Sequence, residues 1–284
     1  MVKIWDVASR KVVRAVHAHD PGQANPEFGL IRNLAWSPDG ACLASAGLDG
    51  IIRIWKVAND DDPLTLAPEH GPVWSVAWSS DGSRLASACT DGTIRIAEGI
   101  GKSIPLYSFN ICDSETNALS PTSVAWSPRG GRLAFQTKSQ LLIRDVAQGA
   151  PLVRIEHPSS FLSVAWSPDG TRLASSGFES GRRAVFVWDT DTGRRLATMR
   201  GHNDVVTAVA WGPDGKRLVS ASLDNSLRIW DPRTGEEAFV LLSHGGMFFD
   251  VSWHPGGTQL AAACSDGRIW IWDASRGFER DTTL

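Results

Sequence analysis

Several features that would assign this 284-residue chain to a familiar class are missing. There is no apolar run of the roughly 18–20 residues that a membrane-spanning helix needs, and no membrane partner is expected. No basic segment followed by an apolar stretch opens the chain, so no secretory leader is signalled. The only cysteines are Cys42, Cys89, Cys112 and Cys264. None falls in a C-x-x-C or Cys/His spacing, so neither a zinc site nor a redox pair is expected. A reducing, cytoplasmic setting suits such thiols best, and no cofactor or metal is expected. The formal charge of −3 supplies no basic excess, so no nucleic-acid partner is expected. Arg182-Arg183 and Arg194-Arg195 are small basic pairs that read as solvated turn residues. A phosphate-cradling loop, a nucleophile elbow and an isolated carboxylate pair are also missing. No stretch carries the 3.6-residue period of a helix.

What is present is repetition. Residues 202–231 read as three short strands and two turns. An apolar alternation over 205–211 leads into Pro213-Asp214-Gly215, whose residues preset a tight turn. A second apolar strand over 217–221 reaches Asp224-Asn225, a two-residue hairpin signal. A third strand ends at Trp230-Asp231, and a fourth apolar run covers 238–242. The first-strand tryptophans Trp36, Trp78, Trp126, Trp166, Trp211 and Trp253 recur at intervals of 42, 48, 40, 45 and 42 residues. The turns after them read SPDG, SSDG, SPRG, SPDG, GPDG and HPGG. The second strands read CLASA, RLASA, RLAFQ, RLASS, RLVSA and QLAAA.

Gly201-His202, the Pro-Asp-Gly turn, the Leu-Val-Ser-Ala-Ser strand and Trp230-Asp231 together resemble a WD40 repeat. The resemblance implies an all-β WD40 β-propeller with six complete four-stranded blades and an N-terminal half blade. The half blade covers 1–19, and the blades cover approximately 30–67, 70–110, 120–156, 158–200, 202–243 and 245–284 of one domain. Seven full blades would need 28 strands, and the pattern offers 26. A seven-bladed ring cut from a longer array is the preferred reading. The alternative is a six-bladed closure in which 12–16 pairs onto the strand at 268–272. Segments 17–29 and 110–121 carry no strand pattern and read as long loops, functional or structureless.

His202, Ser220 and Asp224 are the residue types of a hydrolase triad. The resemblance implies a structural role instead: His202, Ser220, Asp224 and Trp230 form a hydrogen-bonded tetrad inside the blade. Partial sets recur as Ser45, Asp49 and Trp55; His70, Ser87 and Asp91; His157, Ser175 and Trp188; and His244, Asp266 and Trp272. An active site is needed once, whereas a clamp is needed in each blade, so no enzyme activity is expected. The third unit carries Phe135 at the Ser position and Arg144 at the Trp position. It is expected to be the least stable blade, held by apolar packing alone. In the fourth, the longer segment 177–183 replaces the tight Asp turn.

The end of the blades that bears the tetrad turns is where the family receives protein partners. Candidate partner-binding positions there are Arg32, Trp74 and Phe249, four residues before the first-strand aromatic. Met247 lies six before, and Leu48 and Leu223 precede the turn Asp. Large aromatic and apolar residues at such places suit interface hot spots. The expected function is a non-catalytic scaffold for a protein or peptide, within a larger signalling protein fused to a kinase or NTPase domain. The alternatives are a sensory propeller binding a small ligand in its central channel and, more remotely, a hydrolase.

Overall fold

A computed structural model describes residues 1–19, 30–59, 61–66, 71–99, 106–110, 122–137, 140–147, 151–156, 163–243 and 245–283. Among them are 26 strands, arranged as one two-stranded and six four-stranded sheets. Each four-stranded sheet is a meander in which every strand pairs with its neighbour in sequence. Of the two segments read as structureless, 20–29 of the first and 111–121 of the second lie outside the described residues. No helix among the described residues is long and apolar enough to cross a membrane.

The fifth sheet shows why the sequence folds this way. Its strands are Val206–Trp211, Leu218–Ser222, Ser226–Trp230 and Glu237–Leu242. All five residues of Leu218–Ser222 are buried, which suits a strand of small and apolar side chains covered on both faces. The last strand is exposed at nearly every position. The preceding turn closes because Gly215 takes φ 66° and the Lys216 N–H donates to Asp214 at 2.9 Å. At Asp224-Asn225 the asparagine takes φ 66°, a conformation its short polar side chain tolerates.

The chain divides into two compact units, Met1–Trp126 and Ser127–Leu284. In the first unit, the hairpin Val2–Asp6 and Lys11–Val16 packs Val2 and Ala18 against Leu43 and Trp55 of the first four-stranded sheet. That sheet comprises Ile31–Trp36, Cys42–Gly47, Ile52–Lys56 and Leu64–Leu66. Its inner residues Ala44, Ile52 and Ile54 share a core with Val73, Val76 and Leu85 of the second sheet. Strand Ser123–Trp126 completes the unit, with its Val124 N–H donating to Ser75 Oγ at 3.2 Å.

In the second unit the same packing recurs from sheet to sheet. Val185, Val187 and Met199 of the fourth sheet meet Val206, Val209 and Trp211 of the fifth. Ala208, Val219 and Leu227 of the fifth meet Phe248, Val251 and Trp253 of the sixth. Strand Ile269–Asp273 is flanked on both sides, by Gln259–Cys264 and Glu279–Thr283. Lys11–Val16 pairs with Val2–Asp6. The pairing entertained for a six-bladed closure is therefore not made, because both edges of its acceptor strand are already occupied within the sheet.

The fourth sheet corrects a second expectation. Segment 177–183 is not a longer loop. Strands Arg172–Glu179 and Arg182–Asp189 continue their ladder through it, pairing Glu179 with Arg182. The reversal takes only Ser180 and Gly181, at φ 51° and 79°, the positive pair of a tight hairpin turn.

A recurring contact ties sheet to sheet. The guanidinium of Arg84 lies over the Trp126 ring at 4.6 Å, Arg172 over Trp211 at 4.7 Å, and Arg217 over Trp253 at 4.6 Å. In each pair the arginine opens or immediately precedes a second strand, and the tryptophan ends the first strand of the next sheet. Trp36, in the first sheet, is 49 % exposed, whereas Trp211 is 7 % exposed. The hairpin before Trp36 contains only two strands and has no counterpart of that arginine-bearing strand.

Candidate protein-interaction site

The tetrad of the fifth sheet is assembled by three elements. His202 stands in the segment entering Val206–Trp211, Ser220 in the second strand, Asp224 in the following turn, and Trp230 at the end of the third strand. The Trp230 indole N–H donates to Ser220 Oγ at 2.8 Å. Ser220 Oγ lies 2.7 Å from His202 Nε2, and His202 Nδ1 lies 2.8 Å from Asp224 Oδ2. One proton arrangement satisfies all of them: indole to hydroxyl, hydroxyl to Nε2, and Nδ1–H to carboxylate. Asp224 also accepts from the Asn203 N–H at 2.9 Å, the Ser226 N–H at 3.0 Å and the Ser226 hydroxyl at 2.5 Å. Burial alone would raise its pKa. The bonds from His202 and Ser226 outweigh that and hold the carboxyl well below the usual range.

This geometry differs from that of a hydrolase triad. Ser220 is fully buried, and its oxygen is already engaged by an indole N–H on one side and an imidazole on the other. A nucleophile needs a free approach to a carbonyl carbon. Among the described residues no group of three His, Cys, Asp or Glu side chains could hold a metal ion.

The first sheet completes its set with a histidine that the sequence reading missed. His19 Nδ1 lies 2.8 Å from Asp49 Oδ1 and His19 Nε2 lies 3.0 Å from Ser45 Oγ. The Trp55 indole donates to the same hydroxyl at 3.3 Å. Arg53 adds an ion pair to Asp49 at 2.9 Å. Burial lowers the His19 pKa, against the pull of Asp49. A Cβ on Gly47 would collide with the His19 ring, so glycine is needed there.

The other sets are less complete. His70, His157 and His244 lie outside the described residues. Ser87 is buried, and Asp91 is taken by Thr93 and by Arg95 at 2.8 Å. Ser175 receives the Trp188 indole N–H at 2.8 Å. In the sixth sheet Trp272 occupies the tetrad register opposite Leu260, but it is Trp270 whose indole donates to Asp266, at 3.3 Å.

Among the described residues the third sheet shows no such His–Ser–Asp–Trp chain. Phe135 is buried opposite Leu142, and Arg144 stands opposite Leu133. Apolar packing is not its sole support, since the Gln136 side-chain amide donates to Ser163 O at 2.7 Å. With no buried tetrad to lock the hairpin, amides in 122–145 are expected to exchange faster than those in 206–230. Hydrogen exchange with mass-spectrometric readout checks this, and slower exchange in 122–145 would refute it.

Three of the candidate partner-binding positions, Arg32, Trp74 and Phe249, share a backbone cause. In the first, second, fifth and sixth sheets the first strand slips register where it meets its second strand, between Ile31 and Asn33, Val73 and Ser75, Val206 and Ala208, and Phe248 and Asp250. The extra residues are Arg32, Trp74, Thr207 and Phe249. A bulge re-aims the side chain it carries. Arg32 is exposed, Trp74 is half-buried, and the guanidinium lies over the indole at 4.5 Å. Phe249 is 52 % exposed and Met247 is exposed beside it. Leu48 and Leu223 are half-buried. The Leu48 N–H donates to Leu30 O and the Leu223 N–H to Val205 O, each at 3.0 Å. Met247 O accepts from the Ser265 N–H at 2.8 Å. The same bond thus places these residues at the bulge end of their own sheets.

Four-stranded meanders with a buried His–Ser–Asp–Trp chain and a bulged first strand define a class, the blade of a WD-type propeller. The family model described as "WD domain, G-beta repeat" matches residues 11–56, 62–97, 149–189, 193–231 and 235–273, and the chain belongs to this WD40 family. Its fold class is the all-β WD40 β-propeller, with six four-stranded blades. The matches leave out 98–148, which contains the third sheet's Phe135 and Arg144. No curated protein sequence matches the chain. The family is a typical protein-interaction scaffold and is generally non-catalytic.

Proposed function

We propose that the chain is a non-catalytic scaffold that presents the bulge end of its blades to a protein or peptide partner. The observation that carries this reading is the use of one bulge position to offer side chains suited to binding. In the first unit, an exposed arginine stacks on Trp74; in the second, Phe249 projects into solvent. Tryptophan and phenylalanine bury much area at modest entropic cost, and interface hot spots favour tryptophan and arginine. The His–Ser–Asp–Trp chains are clamps within the blades in this reading, because their polar atoms are spent on one another. A cytoplasmic setting accords with Cys42, Cys89 and Cys264 as free thiols. Fusion to a kinase or NTPase domain belongs to the same reading.

Affinity capture with wild-type, Trp74→Ala and Phe249→Ala protein tests the proposal. The wild type is expected to retain a defined set of proteins. Trp74→Ala is expected to lose at least one of them by about tenfold or more and to melt within a few degrees of wild type. An unchanged captured set in both variants would overturn the interaction reading. A large fall in melting temperature for Trp74→Ala would make that residue core.

A further inference from the structure

The continued ladder of the fourth sheet builds a cavity that reaches His202 of the fifth blade's tetrad but whose arginines neither the tetrad nor the bulge positions use. Phe178, Arg182 and Arg183 project beside the segment 200–204 that enters the fifth sheet, and a cavity of about 620 Å³ lies between them. Arg200, Asn203 and Asp204 line its other side. Three arginines therefore line one concave space beside a single acidic residue, Asp204.

The arginines are held to different degrees. Arg183 lies over the Phe178 ring at 4.6 Å, which fixes the guanidinium plane and leaves its edge donors unspent. Arg200 is anchored from behind by Glu179 at 2.6 Å, and Arg195 shares that carboxylate at 2.5 Å. Its remaining N–H groups stay available. Arg182 is exposed and forms no ion pair among the described residues. Asp204 accepts from the Val205 N–H at 2.7 Å, so one of its oxygens is already engaged.

We propose that this cavity is an oxyanion subsite that receives a phosphate monoester on a serine or threonine side chain of the protein partner. It rests on the interaction reading above and names what one part of the partner must carry. A carboxylate is satisfied by one guanidinium fork, whereas a phosphate dianion offers three strong acceptor oxygens and about −1.5 to −2 charges. Several arginines converging on one space match the second demand. An extended polyanion would need a basic track along the surface. Here the arginines line one cavity, in a chain of formal net charge −3.

The test uses immobilised degenerate peptide pools centred on phosphoserine or phosphothreonine. The controls are the same pools unphosphorylated, pools with glutamate at the centre, and a short single-stranded RNA. The intact protein is expected to be retained about tenfold or more by the phosphorylated pools over the unphosphorylated ones, and inorganic phosphate should compete. The double variant Arg182→Ala/Arg183→Ala should lose that retention and keep its melting temperature. Arg233→Ala, an exposed arginine away from the cavity, should bind as wild type. Equal retention on all pools, stronger retention on glutamate or RNA, or unchanged binding by the double variant would overturn the subsite. Because no Trp74-dependent partner is needed here, failure of the subsite is distinguishable from failure of the scaffold reading.

Discussion

Replacing Asp224 with alanine is expected to destabilise the protein by about 3–5 kcal/mol, which for a chain of this size lowers the melting temperature by about 10 °C. The carboxylate gathers His202, Asn203 and Ser226, and both it and the imidazole are nearly excluded from water. Alanine leaves those N–H and O–H donors facing a space too small to rehydrate them, and an unmet buried donor costs the whole desolvation penalty. Asn at this position keeps the shape and one acceptor, so its loss should be smaller. The two variants also differ from wild type in acid. Asp224 in the folded protein titrates well below its unfolded value of about 3.9. Between the two values the unfolded chain binds more protons, so stability rises with pH there. The contribution is complete above about pH 4 and is lost as the pH falls through the folded value. His19 adds a slope at higher pH. Burial lowers its folded pKa, so its share of stability is full above about pH 6.5 and declines as the pH drops below that value. Urea midpoints measured from pH 2 to 8 should show both limbs in wild type, and the acid limb should flatten in Asp224→Asn. An unchanged acid limb would mean that Asp224 is not the group that titrates.

Local chemistry made most of this arrangement readable. The Pro-Asp-Gly turns, the small-residue second strands and the tryptophan spacing each act within a few residues, so their order along the chain is their order in the sheet. His19 escaped because its partners are measured from the wrong end. In the fifth blade nine residues separate His202 from Trp211, but in the first blade 17 separate His19 from Trp36. The insertion moved the histidine out of register with its strand. Residues 177–183 were misread for the opposite reason. Their glycines look like a loop, yet only Ser180 and Gly181 leave the ladder. Position alone gave the candidate interaction residues, and the backbone slip that turns Trp74 and Phe249 outward is a property of strand pairing that no single segment encodes. In the sixth blade, sequence register points to Trp272, but with Ala262 in place of serine it is Trp270 that donates to Asp266.

The arginine–tryptophan contacts were visible only as separate recurrences, because each joins two repeats. They lead to the sharpest contrast in core stability. Trp211→Ala is expected to cost about 3–5 kcal/mol, the usual range for a buried tryptophan. The residue loses its apolar burial, the 3.1 Å bond from its indole N–H to Ala165 O, and the Arg172 guanidinium above its ring. Arg172 also donates to Gly215 O at 3.0 Å, so one side chain ties a strand of the fourth blade to both the ring and the turn of the fifth. Trp36 stands at the same place in its repeat and is about half exposed. Trp36→Ala should therefore cost about 1 kcal/mol or less, since half of its surface already faces water and the hairpin before it offers no counterpart of the arginine that covers Trp211. Urea midpoints of the two variants decide the matter. A loss at Trp36 as large as that at Trp211 would show that in solution something covers the first strand of the first blade.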